Sequence, residues 1–244
     1  MNTMSESRAD PQQQAQRRKI LVWDAPVRLF HWLMVASFAG AWLTAESESW
    51  RLVHVTLGYT MAGLVLFRIV WGLWGTRYAK FSSFVRGPKA VARYVSNLLR
   101  GRHEPHTGHN PAGAIAILAL LGLTLLVTFT GWVTYNDFAG GWLEEVHEAA
   151  ANVMLAIVGA HVAAVVWTSW RFRENLVRAM VTGRKPGKPE QGIARAWRPL
   201  AAVMLAAVLG FWWTQWADAP ADDGGRASGQ TADVHDRHQH GDED

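Results

Sequence analysis

Apolar positions along this chain follow neither the period of two of a half-buried strand nor the one-faced period of a surface helix. They gather into five almost unbroken blocks, at about 29–45, 52–74, 112–135, 146–170 and 199–216. Each is close to the ~20 residues a helix needs to cross a bilayer. Helices of a soluble domain rarely lose their polar face over such lengths. The pattern therefore predicts an all-α integral membrane protein with five helices. Most tryptophans, among them Trp32, Trp50, Trp74, Trp132, Trp142, Trp170 and Trp216, fall near block ends. That is where amphipathic rings settle at a lipid–water boundary.

The polar connections give orientation. The connection 75–111 holds Arg77, Lys80, Arg86, Lys89, Arg93, Arg100 and Arg102, and 171–198 holds eight more basic residues, Lys185 among them. The connections 46–51 and 136–145 hold one, Arg51, against Glu46, Glu48, Asp137, Glu144 and Glu145. By the positive-inside rule the basic connections and the N-terminus are cytoplasmic, and five crossings put the C-terminus outside. Residues 1–20 are polar and lack a signal peptide's apolar core, which predicts a disordered cytoplasmic extension. Residues 187–217 read as a basic linker and the fifth helix, and 218–244 as a disordered, acidic, His-containing periplasmic tail. The sequence pI of about 9.7 then reports topology, and nucleic acid need not be invoked.

There is no cysteine, which excludes disulfides, thiolate-bound iron–sulfur clusters and covalent c-type haem attachment. Four of ten histidines lie in apolar blocks: His31, His54, His147 and His161. An ionisable group at membrane depth is a functional candidate by default. Fourteen residues separate His147 from His161. At about 100° each they turn through ~1,400°, about 40° short of four turns, so both lie on one face roughly 21 Å apart. The alternating direction of the blocks sets His54 beside His147 at the outer side and His31 beside His161 at the inner side. No Asp or Glu accompanies the deep pair, which disfavours a carboxylate-bridged dimetal site. Zinc wants four ligands, or three and a water. Two axial imidazoles with a macrocycle supplying the remaining four nitrogens is the haem arrangement. Arg28 and Arg68, near the cytoplasmic ends of the first two blocks, are placed to pair with haem propionates; snorkelling to phosphate headgroups is the alternative for Arg68. A non-redox transporter or metal carrier using the buried histidines is the rival function. It predicts broken or charged helices at the midplane, which the third and fourth blocks do not show.

The stretches VWDAPVRLFHW, LVHVTLGY, FRIVWGLWGTRYAKFSSFV, GHNPAGA, TGW, HEAAANVMLAIVGAHVAAV and RENLVRAMVTGRK together resemble the bacterial cytochrome b561 family, which includes the cytochrome b subunits of nickel–iron hydrogenases. The resemblance runs over about 21–186 and covers the first four blocks in order. It implies a four-helix haem-binding domain over 21–186, with haem b ligated by His31, His54, His147 and His161. Keeping all four histidines implies two non-covalent haems. It also implies electron transfer between the quinone pool and another redox protein, as a subunit or a quinone oxidoreductase. The expected partners are membrane lipid, quinone, and a periplasmic redox protein such as a c-type cytochrome or a hydrogenase; a homodimer is compatible with the sequence.

One polar motif remains, GHNPAG at 108–113. Asn110 followed by Pro111 reads as a helix N-cap. His109 and Asn110 at the surface beside the inner haem also read as a quinone headgroup site. His103 and His106 read as solvated loop residues.

Overall fold

The protein is described by a computed structural model over residues 18–85, 87–100, 106–138 and 140–217. The expected extension over 1–20 falls outside these residues as far as 17. Its last three, Arg18–Ile20, belong to a strand β1 (Arg18–Leu21). The expected tail 218–244 lies outside the described residues.

The first long helix, α1 (Ala25–Thr44), starts at Asp24, whose carboxylate accepts the Val27 N–H at 2.8 Å, with a proline in the first turn. After a short 3₁₀ turn, α2 (Arg51–Trp74) returns antiparallel. The first basic connection contains α3 (Pro88–Leu99), a short amphipathic helix. Then come α4 (Pro111–Tyr135), α5 (Trp142–Phe172), the short α6 (Leu176–Thr182), a strand β2 (Arg184–Gly187) and α7 (Arg198–Ala217). The structure bears out Asn110 as the N-cap of α4: its Oδ1 accepts the Gly113 N–H at 2.7 Å. Helix α5 begins four residues before the fourth block. Glu144 and Glu145, which read as outer connection, occupy its first turn, where the helix dipole favours carboxylates.

Helix α1 packs along α2 and α4 along α5, and the α2–α4 contact joins the two hairpins. Four helical segments are long and apolar enough to cross a membrane: Glu48–Trp74, Pro111–Tyr135, Trp142–Phe172 and Arg198–Ala217. Helix α1 is not among them, chiefly because Arg28 and His31 lower its mean hydropathy. Its 20 residues still extend about 30 Å beside α2. Large apolar side chains face outward along the helices, for example Leu66, Ile115, Phe129, Val153 and Val166. Exposed apolar surface on this scale marks contact with lipid.

An element that hydropathy did not predict lies at the basic end. Strand β1 pairs antiparallel with β2, Ile20 opposite Lys185 and Leu21 opposite Arg184. Two strands alone are marginal. This ribbon is held by a small core of Ile20, Val22, Trp23 and Ala179, with Tyr78 packed against it. By contact density the chain divides at residues 208 and 209, inside α7. The described part of the second unit is the last turns of that helix, where Trp212 and Trp216 meet edge-on.

Candidate haem and quinone site

At the end of the bundle with the acidic connections, His54 of α2 faces His147 of α5. Their ring centroids are 6.2 Å apart. His54 Nδ1 lies 2.9 Å from the Ala41 carbonyl, and His147 Nδ1 lies 2.9 Å from the Val127 carbonyl. A carbonyl only accepts, so each Nδ1 carries the proton and each Nε2 keeps its lone pair. This is the outer-shell arrangement that fixes a ligating imidazole. Thr130 Oγ1 lies 3.3 Å from the same His147 nitrogen. Gly131 clears the approach: a Cβ there would come within 2.8 Å of His147 Cε1. The TGW motif is thus a seat for one imidazole, a role that sequence spacing across two helices did not reveal.

These residues fit haem. Two imidazoles bound to one metal from opposite sides, with bonds of about 2 Å, place their ring centres about 6 Å apart. Among the described residues, no group of three or more His, Cys, Asp or Glu could hold a metal ion with protein ligands alone. A pair of imidazoles is what the chain offers here, and a macrocycle would have to supply the rest.

At the basic end, His31 of α1 and His161 of α5 lie within electrostatic reach of each other. His31 Nδ1 is buried with no hydrogen-bond partner, so this pair lacks the carbonyl anchors of the other. His161 is also within electrostatic reach of His109, as are Arg68 and Lys185. The His109 ring is packed between Trp23, at 4.4 Å, and Phe84, at 4.7 Å. Burial first, then the positive Arg68 and Lys185, hold its imidazole far below the ordinary range, at about 3. His109 is therefore neutral at physiological pH, and its Nδ1 is buried without a partner.

The two arginines part company. Arg68 is 3% exposed, lies over the Phe81 ring at 5.0 Å and has a buried Nη1 with no partner. That geometry replaces the snorkelling alternative with an inward-facing cation. Arg28 instead donates to the Val181 and Asp24 carbonyls, tying α1 to α6. The residue that sequence reasoning missed is Asp24, 1% exposed. Beyond capping α1, its carboxylate accepts from Trp71 Nε1 at 3.0 Å and Thr76 Oγ1 at 2.6 Å, and it sits in the field of Arg68. An Asp directly before Ala-Pro at a helix start was the available signal. His106 is not a solvated loop residue: its ring meets Tyr94 edge-on at 5.4 Å and its carbonyl accepts from Lys185. His103 lies outside the described residues.

The family profile described as prokaryotic cytochrome b561 matches residues 22–183. The chain belongs to the prokaryotic cytochrome b561 family. A "Probable Ni/Fe-hydrogenase B-type cytochrome subunit" of Rhizobium leguminosarum bv. viciae is 22% identical over 217 residues, covering 70% of this chain and 90% of the relative. A relative of the same name from Rhodobacter capsulatus is 24% identical over 234 residues, covering 76% and 88%. A "Probable Ni/Fe-hydrogenase 1 B-type cytochrome subunit" of Escherichia coli K12 is 25% identical over 142 residues, covering 48% and 60%. No solved structure matches the chain. Membership makes this cytochrome b561 an integral membrane haem b protein of electron transfer, and it sets aside the transporter or metal-carrier reading.

Proposed function

We propose that this cytochrome b561 carries two bis-histidine b haems and moves electrons between a periplasmic redox protein at its acidic end and quinone at its basic, cytoplasmic end. The observation that carries this reading is the His54–His147 pair, 6.2 Å apart, with both Nδ1 atoms held by carbonyls. His147 and His161 repeat on one face of the single helix α5, about 21 Å apart, and offer a second pair with His31 in the other leaflet. When bound, haem held by these histidine pairs would supply one-electron redox chemistry.

The chain's own residues do the rest. The Ala41 and Val127 carbonyls orient the outer imidazoles. The buried Nη1 of Arg68 suits a propionate of the inner haem better than Arg28, which is engaged with backbone carbonyls. Asn110 holds the start of α4, and through it the position of His109. Neutral His109 offers a quinone carbonyl an imidazole donor at the membrane surface. Glu46, Glu48, Asp137, Glu144, Glu145 and Glu148 are all exposed and form an acidic face for a basic partner. The names of the relatives favour a hydrogenase as that partner.

The test is reoxidation of the reduced haems by quinone. His109→Ala is expected to slow it while both haem spectra stay as in the wild type. Unchanged quinone kinetics would place the quinone elsewhere.

A further inference from the structure

Lys185 of β2 is 6% exposed. Its Nζ lies 2.6 Å from Glu174 Oε1 and 3.0 Å from the His106 carbonyl. Glu174 reaches it because Arg173 ends α5 in the left-handed region, at φ 53°, and turns the chain back. The Glu174 side chain keeps 26% of its surface exposed, against 7% for Lys185. One end of this ion pair therefore meets water, and the other lies within the field of His109.

A buried ion pair is weak evidence for stability, since desolvation offsets much of the attraction. Its placement between water and His109 calls for another account. We propose that Glu174 and Lys185 form a proton-exchange pair linking water at the basic end to the quinone site at His109. This rests on the quinone reading above and adds to it the source of the protons.

The chemistry balances. Reduction of a quinone takes two electrons and two protons: both C=O groups become C–OH, and one O–H bond forms at each oxygen. The electrons come singly from the reduced redox protein at the acidic end, by way of the two histidine pairs. Each proton leaves the Lys185 ammonium towards His109. The imidazole accepts it on one nitrogen and releases another to the quinone oxygen from the other nitrogen. Glu174, protonated from water, returns a proton to Lys185. Oxidation of a quinol runs the same transfers in reverse. Lysine can take part because its ammonium gives up a proton, which a guanidinium does not.

Two conservative variants separate proton exchange from a merely structural strut. Glu174→Gln keeps an acceptor for Lys185, and Lys185→Arg keeps the charge and the donors. The full chain, reduced with dithionite, is mixed with a soluble naphthoquinone, and in parallel with ferricyanide, which takes an electron and no proton. Both variants are expected to slow reoxidation by the naphthoquinone about tenfold or more, with a larger solvent isotope effect, wild-type haem spectra and an unchanged ferricyanide rate. Glu174→Asp is expected to recover part of the rate. Wild-type naphthoquinone rates in Glu174→Gln and Lys185→Arg, with His109→Ala slow, would overturn the proton-exchange role alone. Wild-type rates in all three would overturn the quinone site itself.

Discussion

His54 and His147 stand on helices that are not neighbours in sequence, yet their ring centroids lie 6.2 Å apart, with the planes at 67°, and each is locked by a backbone carbonyl through Nδ1. The lock fixes which nitrogen remains for a metal. Substitutions at this pair should therefore act on one haem and leave the other in place. His54→Ala or His147→Ala is expected to remove one spectral component, and His31→Ala or His161→Ala the other. The check is the low-temperature reduced spectrum of each variant. Loss of the same component from all four would refute pairing by depth.

Gly131 gives a subtler handle. A Cβ at this position would press on the His147 ring at 2.8 Å. Gly131→Ala is expected to shift the midpoint potential and bands of the outer haem, and Gly131→Val to expel it, with the inner haem unchanged. Redox titration of the two variants separates the effects.

Asp24 joins the start of α1 to Trp71 and Thr76 while sitting 1% exposed. Asp24→Ala removes a helix cap and leaves two donors without their acceptor. The loss is of order 3 kcal/mol, read as a lower thermal midpoint in detergent. Asp24→Asn keeps one acceptor oxygen and should lose less.

His109 gives the pH dependence. Its folded-state pKa of about 3 lies below the ordinary 6.5. Between those values the unfolded chain binds the extra proton, so stability rises with pH across the window and falls on acidification. The thermal midpoint is expected to drop from pH 6.5 towards 4, and His109→Gln to drop less steeply. Parallel curves for the two proteins would show that His109 is not held neutral by its surroundings.

That the helices bring His54 near His147 and His31 near His161 was legible because hydropathy marks membrane depth and a fourteen-residue interval is nearly a whole number of helical turns. The Asn110 cap was legible because its signal is local. Long-range arrangements were not. The β1–β2 ribbon joins segments at the two ends of the matched domain, and β1 falls where the chain composition reads as a polar extension. Lys185 and Glu174 meet across a strand and a left-handed turn, with no periodicity to announce them. The early start of α5 was hidden for another reason: Glu144 and Glu145 look like connection, yet carboxylates are favoured in a first helical turn.

Topology is tested by reporters. Fusions after residue 90 are expected to be active only in the cytoplasm, and fusions after Asp244 only when exported. A cytoplasmic C-terminus would mean that α7 does not span.

The most direct test of two bis-histidine haems is haem stoichiometry on the purified protein, by pyridine haemochrome against quantitative amino-acid analysis, with electron paramagnetic resonance of the oxidised sample. The expected result is two acid-acetone-extractable haems per chain, both low-spin. A ratio near one, or a high-spin signal from an intact preparation, would contradict it.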